Sequence, residues 1–196
     1  MDSTVDRITS EIEESVNVKV SMMKDKKLIE TVSKIIDEIV SALKRGRKIL
    51  LCGNGGSAAD AQHFAAELVG KFRKIRKALS AVSLTVNTSI LTSIGNDFSF
   101  DDVFKRQVEA IGKKGDILIA ISTSGNSKNV IEAVEQAKKM GIFTIGFTGK
   151  DGGKLAEICD IVVKVPSSST PRIQEMHITL FHAICGIVEE IIIAQG

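Results

Sequence analysis

This sequence predicts a doubly wound α/β domain: a five-stranded parallel sheet with helices on both faces, preceded by two helices. Three observations predict it. Beyond residue 47, five short apolar runs alternate with segments of helical period. Proline is nearly absent, with only Pro166 and Pro171, both in the last turn before the final helix. Turns rich in glycine or hydroxyls follow the first, third and fifth apolar runs. At 196 residues the chain suits a single domain, 1–196, with 1–46 as a helical N-terminal extension and 47–196 as the α/β core.

In the extension, Ile8, Ile12, Val16 and Val20 recur at helical spacing, and Leu28, Val32, Ile35, Ile36, Ile39, Val40 and Leu43 do so again. Gly46 ends the second helix behind Lys44 and Arg45, cations that suit the negative end of a helix dipole. Both apolar stripes need cover, from the sheet or from the same helices of another subunit, and a homo-oligomer is expected. Strands follow at Lys48 to Cys52, Ala81 to Leu84, Asp116 to Ile121, Phe143 to Phe147 and Asp160 to Val165. Helices are expected over Ser57 to Lys71, Thr88 to Ile94, Val103 to Ile111, Ser127 to Met140 and Gln174 to Ala194.

Composition excludes several functions. With 26 basic and 24 acidic side chains the formal charge is +2, too little excess for a protein that binds nucleic acid by bulk electrostatics. There is no Trp and no Tyr, which disfavours recognition by stacking on nucleic acid or sugar rings. Cys52, Cys159 and Cys185 are an odd number without a Cys-x-x-Cys pair and read as buried thiols of a reducing compartment. The acidic N-terminus lacks a signal-peptide core, and the apolar tail Ile184 to Ala194 is broken by Glu189 and Glu190, so a cytoplasmic protein with no membrane partner is expected.

In an open parallel sheet, ligands bind in the turns at the carboxyl ends of the strands. The first such turn, Cys52-Gly53-Asn54-Gly55-Gly56-Ser57, allows close approach of backbone N–H groups to a ligand, with Ser57 expected as the helix cap. It matches neither a dinucleotide fingerprint nor a P-loop. The third, Ile121-Ser122-Thr123-Ser124-Gly125-Asn126-Ser127, places four hydroxyls at a helix N-terminus, which makes a phosphate cradle. The fifth, Pro166-Ser167-Ser168-Ser169-Thr170-Pro171, leads into a helix carrying Gln174, Glu175, His177 and His182. His63 and Glu67, four residues apart, share one helix face. With His182 and Gln174 they form a nitrogen and oxygen set suited to a divalent metal such as zinc. Gln174 and His182 lie about 12 Å apart along a regular helix, so Gln174 must stretch or the ligands must come from different subunits.

On these motifs, together with Asp60 to Leu68, Gly95-Asn96-Asp97-Phe98, Thr148 to Gly153 and Arg172 to His177, the chain resembles the sugar isomerase (SIS) domain family and, within it, the phosphoheptose isomerases. The resemblance implies a flavodoxin-like core, a homotetramer with active sites at subunit contacts, and one zinc per subunit. It implies Glu67 and His182 as acid/base residues and His63, Glu67, Gln174 and His182 as zinc ligands. It further implies Asn54, Gly55, Ser57, Glu67, Asp97, Ser122, Thr123, Ser124, Ser127 and Gln174 as sugar-phosphate contacts. The implied reaction is aldose–ketose isomerisation of sedoheptulose 7-phosphate through an enediol. Two positions depart from the family pattern. Lys71 stands where better-known members carry Arg, and Pro171 where several carry an acid. The rival within the fold is a non-catalytic relative that binds the replication initiator DnaA. That relative lacks counterparts of Glu67 and His182, so their presence here favours the enzyme.

Overall fold

The computed structural model describes residues 3–194. It opens with α1 (Thr4–Lys24), held at its start by a capping box: the Ser3 hydroxyl accepts the Asp6 N–H while the Asp6 carboxylate accepts the Ser3 N–H. Asp25 ends α1 and caps α2 (Lys26–Lys44), its carboxylate accepting the Leu28 N–H at 3.0 Å. The chain leaves α2 through Gly46. The core then runs β1 (Ile49–Gly53), α3 (Gly56–Val69), β2 (Ala81–Ser83), α4 (Thr88–Asp97), a short 3-10 turn at Phe100–Asp102 and α5 (Lys105–Ile111). It continues with β3 (Ile117–Ile121), α6 (Lys128–Lys139), β4 (Phe143–Thr148), α7 (Leu155–Ile158), β5 (Ile161–Lys164) and α8 (Thr170–Ala194).

All five strands are parallel, in the order β2-β1-β3-β4-β5. This is the flavodoxin-like order, whose topological switch lies between β1 and β3. Alternate residues of β3 serve opposite cores. Ile117, Ile119 and Ile121 face the layer containing α2, α3 and α8, while Leu118 and Ala120 face the layer of α4, α5, α6 and α7. Because α3 and α6 leave the two central strands toward opposite faces, a crevice opens at the carboxyl ends of β1 and β3. The register pairs Gly53 with Ile121, so both turns depart from the sheet at one height.

The two helices of the extension part company. α2 folds back on the sheet and buries Leu28, Val32, Ile35, Ile36, Ile39 and Val40. α1 buries Met22 but leaves Val5, Ile8, Ile12 and Val16 exposed. Arg172 ties α1 to α8: buried itself, it pairs with Glu175 at 2.6 Å and reaches Glu11 and Glu14 at 3.5 and 3.7 Å.

Three local expectations change. α8 begins at Thr170, four residues before Gln174, because proline in a first helical turn has no N–H to satisfy and Pro171 fits there. Neither α7 nor the 3-10 turn is apparent from the sequence, since segments this short carry no full period. By length and composition α8 could cross a membrane in spite of Glu189 and Glu190. In this fold its apolar side instead forms the core with α2 and α3. Of the cysteines, Cys52 and Cys185 are buried and Cys159 is partly so, and burial pushes the Cys159 and Cys185 thiols up to about 12.

Candidate active site

At one end of the crevice lies the turn after β3. Ser122 and Ser127 hold each other, Oγ to Oγ at 2.9 Å, and the Asn126 N–H donates to Ser124 Oγ at 3.1 Å. Gly125 adopts φ +68, and a Cβ there would fall 2.0 Å from the Gly152 carbonyl oxygen, so no other residue fits. The turn is seated on the one after β4: Gly149 N–H donates to the Thr123 carbonyl at 2.9 Å, and Lys154 N–H to Asn126 Oδ1 at 2.9 Å. Ser127 is the N-cap of α6 but its side chain makes no capping bond, so the first N–H groups of that helix are open to an anion. A cavity of about 290 Å³ adjoins Thr123, Ser124 and Asn126, with Lys150, Ser167 and Ser168 on its other walls.

The turn after β1 closes the crevice from the other side. Asn54 and Asn129 exchange two amide hydrogen bonds, each 2.9 Å, and so lock the β1 turn to the first turn of α6. Asn129 was not among the expected residues; the one signal it carries in the sequence is a polar side chain at a helix position that turns out to be buried. Ser57 does not cap α3. The helix starts one residue earlier, on Gly55 as N-cap without a side-chain bond, and Ser57 is buried in its first turn. The Gln174 amide lies directly on Gly56, where a Cβ would be 2.5 Å from Nε2.

The other end of the site comes from two helices. Phe64 of α3 packs edge-on against Phe181 of α8 at 5.0 Å, and Phe181 against Phe147 of β4 at 4.7 Å. Their neighbours in sequence, His63 and His182, are thereby brought together, 119 residues apart in the chain, with Nε2 to Nε2 at 3.3 Å. Glu67 Oε1 sits 2.9 Å from His63 Nε2. One ligand atom from each of His63, Glu67 and His182 lies within 4.8 Å of the others. Two imidazole nitrogens and a carboxylate oxygen converging in this way form a group that could hold a metal ion. Phe72 stacks on His182, centroids 5.9 Å apart. Asp60, one turn before His63, has its carboxyl pushed up to about 6 by burial, against the opposing pull of His63.

Not every expected residue joins these two ends. Gln174 rests at Gly56, seven residues or about 10 Å along α3 from His63, so within one subunit its amide stands apart from the triad. Asp97, at the exposed end of α4, accepts from the Asn96 amide at 2.8 Å rather than from the serine turn or the triad. His177 faces the core, its Nε2 3.3 Å from the Thr148 carbonyl oxygen.

Comparison with known proteins gives a consistent result. The SIS domain family matches residues 12–149. The phosphoheptose isomerase of Clostridium acetobutylicum is 56% identical over 183 residues, 93% of each chain. The structure of phosphoheptose isomerase from Neisseria gonorrhoeae superposes with a TM-score of 0.90 at 46% identity, covering 96% of this chain and 100% of that one. A phosphoheptose isomerase from Francisella tularensis gives 0.92 at 36% identity with the same coverage. The chain therefore belongs to the phosphoheptose isomerase family of SIS-domain enzymes.

Proposed function

We propose that this protein converts sedoheptulose 7-phosphate to D-glycero-D-manno-heptose 7-phosphate, an aldose–ketose isomerisation that begins the synthesis of activated heptose. The observation that carries the reading is the meeting of Glu67 and His182 at one end of a crevice whose other end is a serine-lined helix N-terminus. These are also the two positions whose presence separates an isomerase from an initiator-binding relative.

The phosphate docks on Ser122, Thr123, Ser124 and Ser127, whose hydroxyls and helix N–H groups favour an anion. Asn54 and Gly55 stand in the turn on the other side of the crevice, and Gln174, resting on Gly56, supplies a further polar contact. With the phosphate fixed, carbons 1 and 2 lie near Glu67 and His182. One of the pair removes a proton from carbon 1 as the carbonyl oxygen on carbon 2 gains one, giving an enediol. The proton returned to carbon 2, with loss of the proton on oxygen 1, completes the aldose, and no atom is gained or lost.

The donor set fits a zinc ion: His63, Glu67 and His182 would hold it, with Gln174 joining by turning toward the histidines or from a second subunit. Bound there, zinc supplies Lewis-acid polarisation of the sugar carbonyl. The exposed α1 stripe of Val5, Ile8, Ile12 and Val16 supports a homo-oligomer, because an amphipathic helix needs a partner for that face, and the family resemblance makes that a homotetramer. A free sugar phosphate is a metabolite of the cell interior, which supports the cytoplasm as the compartment.

The test is incubation of the purified protein with sedoheptulose 7-phosphate, before and after chelation and on return of zinc. Formation of the heptose 7-phosphate, lost on chelation and restored by zinc, is expected. A protein that leaves the sugar unchanged in every arm but captures DnaA would overturn the reading.

A further inference from the structure

The ring packed against His182 is held in place from outside the site. Phe72 belongs to the segment between α3 and β2, which has no regular structure of its own, and its ring lies at 26° to the His182 imidazole. One carboxylate shapes that segment. Glu189 follows His182 by seven residues on α8, about two turns, and so shares its side of the helix. Its side chain is only 1% exposed. Oε1 accepts the Phe72 N–H at 3.1 Å, and Oε2 accepts those of Arg73 at 2.8 Å and Lys74 at 3.0 Å. Three successive N–H groups converging on one anion make a nest. Burial pushes the Glu189 carboxyl up, but these donors and Arg76 outweigh burial and hold it below the ordinary glutamate value. Arg76 Nε stands 3.1 Å from Oε1 as an ion pair, without the alignment of a hydrogen bond. The same guanidinium donates to the Glu67 carbonyl at 2.9 Å and the Leu68 carbonyl at 2.8 Å.

We propose that Glu189 is a positioning residue of the isomerase reaction: its buried carboxylate, nested on the Phe72–Lys74 N–H groups, seats the Phe72 ring against His182 and, through Arg76, fixes the turn that carries Glu67. This rests on Glu67 and His182 being the acid/base pair. Glu189→Gln keeps the side-chain size but turns an amide N–H group toward donors. The turn then loosens, and misplacing a reacting group by about 1 Å costs on the order of 10²-fold in rate.

The experiment combines kinetics with histidine side-chain NMR, which is tractable because the chain has three imidazoles. In Glu189→Gln, kcat is expected to fall about 10- to 100-fold with KM nearly unchanged, and the His182 signals to move as the Phe72 ring current is lost. Phe72→Leu should reproduce the His182 shift and part of the kcat loss, and the double variant should lose no more than Glu189→Gln alone, since the Phe72 contact is one of the two that Glu189 holds. Glu190→Gln, the same charge change on the exposed neighbour, should alter neither. Wild-type kcat or unmoved His182 signals in folded Glu189→Gln overturns the proposal, as do losses that multiply in the double variant. Should Glu189→Gln not fold, Phe72→Leu decides alone through its kcat, and an unchanged kcat overturns the proposal. Failure of the catalytic reading itself looks different: His182→Gln would be fully active, while the His182 signals of Glu189→Gln, which keeps that imidazole, would still move.

Discussion

The two ends of the crevice are built by different means. The anion end is made of contiguous chain, Ser122 to Ser127, whose geometry is fixed by its own hydroxyl pairs, by one glycine in a left-handed conformation and by the reciprocal Asn54–Asn129 amide bonds. The chemical end is made of side chains on α3 and α8, and exists only because Phe64 and Phe181 pack those helices together. The first is one continuous turn braced by neighbouring turns, the second a meeting of two helices set by aromatic packing. Substitutions at the two ends should therefore fail in different ways: loss of binding at the first and loss of turnover at the second.

The largest effect expected from that contrast is at the triad. Glu67→Gln and His182→Gln should each lower kcat by about 10²–10⁴ while leaving KM close to the wild-type value and the fold intact. Steady-state kinetics beside a thermal melt checks this, and full activity in either variant would break the contrast. Gly125→Ala is expected next. Its methyl group would meet the Gly152 carbonyl at 2.0 Å with φ held at +68. The left-handed backbone alone costs a non-glycine residue about 1–3 kcal/mol and the clash adds to it, so the melt should drop and KM should rise more than kcat falls.

The smallest effect sharpens a comparison within α8. His182 is at the site, but His177, five residues earlier, is buried, and burial pushes its pKa down from 6.5 to about 4. The unfolded chain thus takes up a proton between about pH 6.5 and 4 that the folded chain refuses. Stability from this group is complete above the unfolded value and falls as pH drops through that window, by at most about 1.4 kcal/mol per pH unit. His177→Leu should flatten the melting temperature against pH from 6.5 to 4; an unchanged slope would remove His177 as its source.

How much of this could be read from the sequence depends on whether a feature is local. The strands at Ile49–Gly53 and Ile117–Ile121 were legible from continuous apolar runs, and the serine turn from its hydroxyls. Ser57 misled because a serine beside a helix start usually caps it, while here Gly55 takes that position and Ser57 enters the core. The stripe on α1 looks like that on α2 in sequence, but only α2 finds cover in the fold. A polar side chain within a helix is all that marks Asn129 and Glu189 in the sequence, and it does not single them out. A buried polar residue is recognised by its partners, and theirs lie 75 and 115 to 117 residues away.

The sequence by itself determined the alternation of strands and helices, the turns that end them and the residue types available for chemistry. These follow from hydrophobic period and turn stereochemistry, which act over a few residues. Tertiary structure alone decided which of those residues meet. The register of β1 on β3 sets the two turns level, and the aromatic packing of α3 on α8 joins His63 to His182. It also decided that the apolar length of α8, sufficient for a membrane by composition, forms a core, and that Glu189 within it is neutralised by three backbone N–H groups and Arg76. Such pairings depend on contacts between distant segments, which no local pattern encodes.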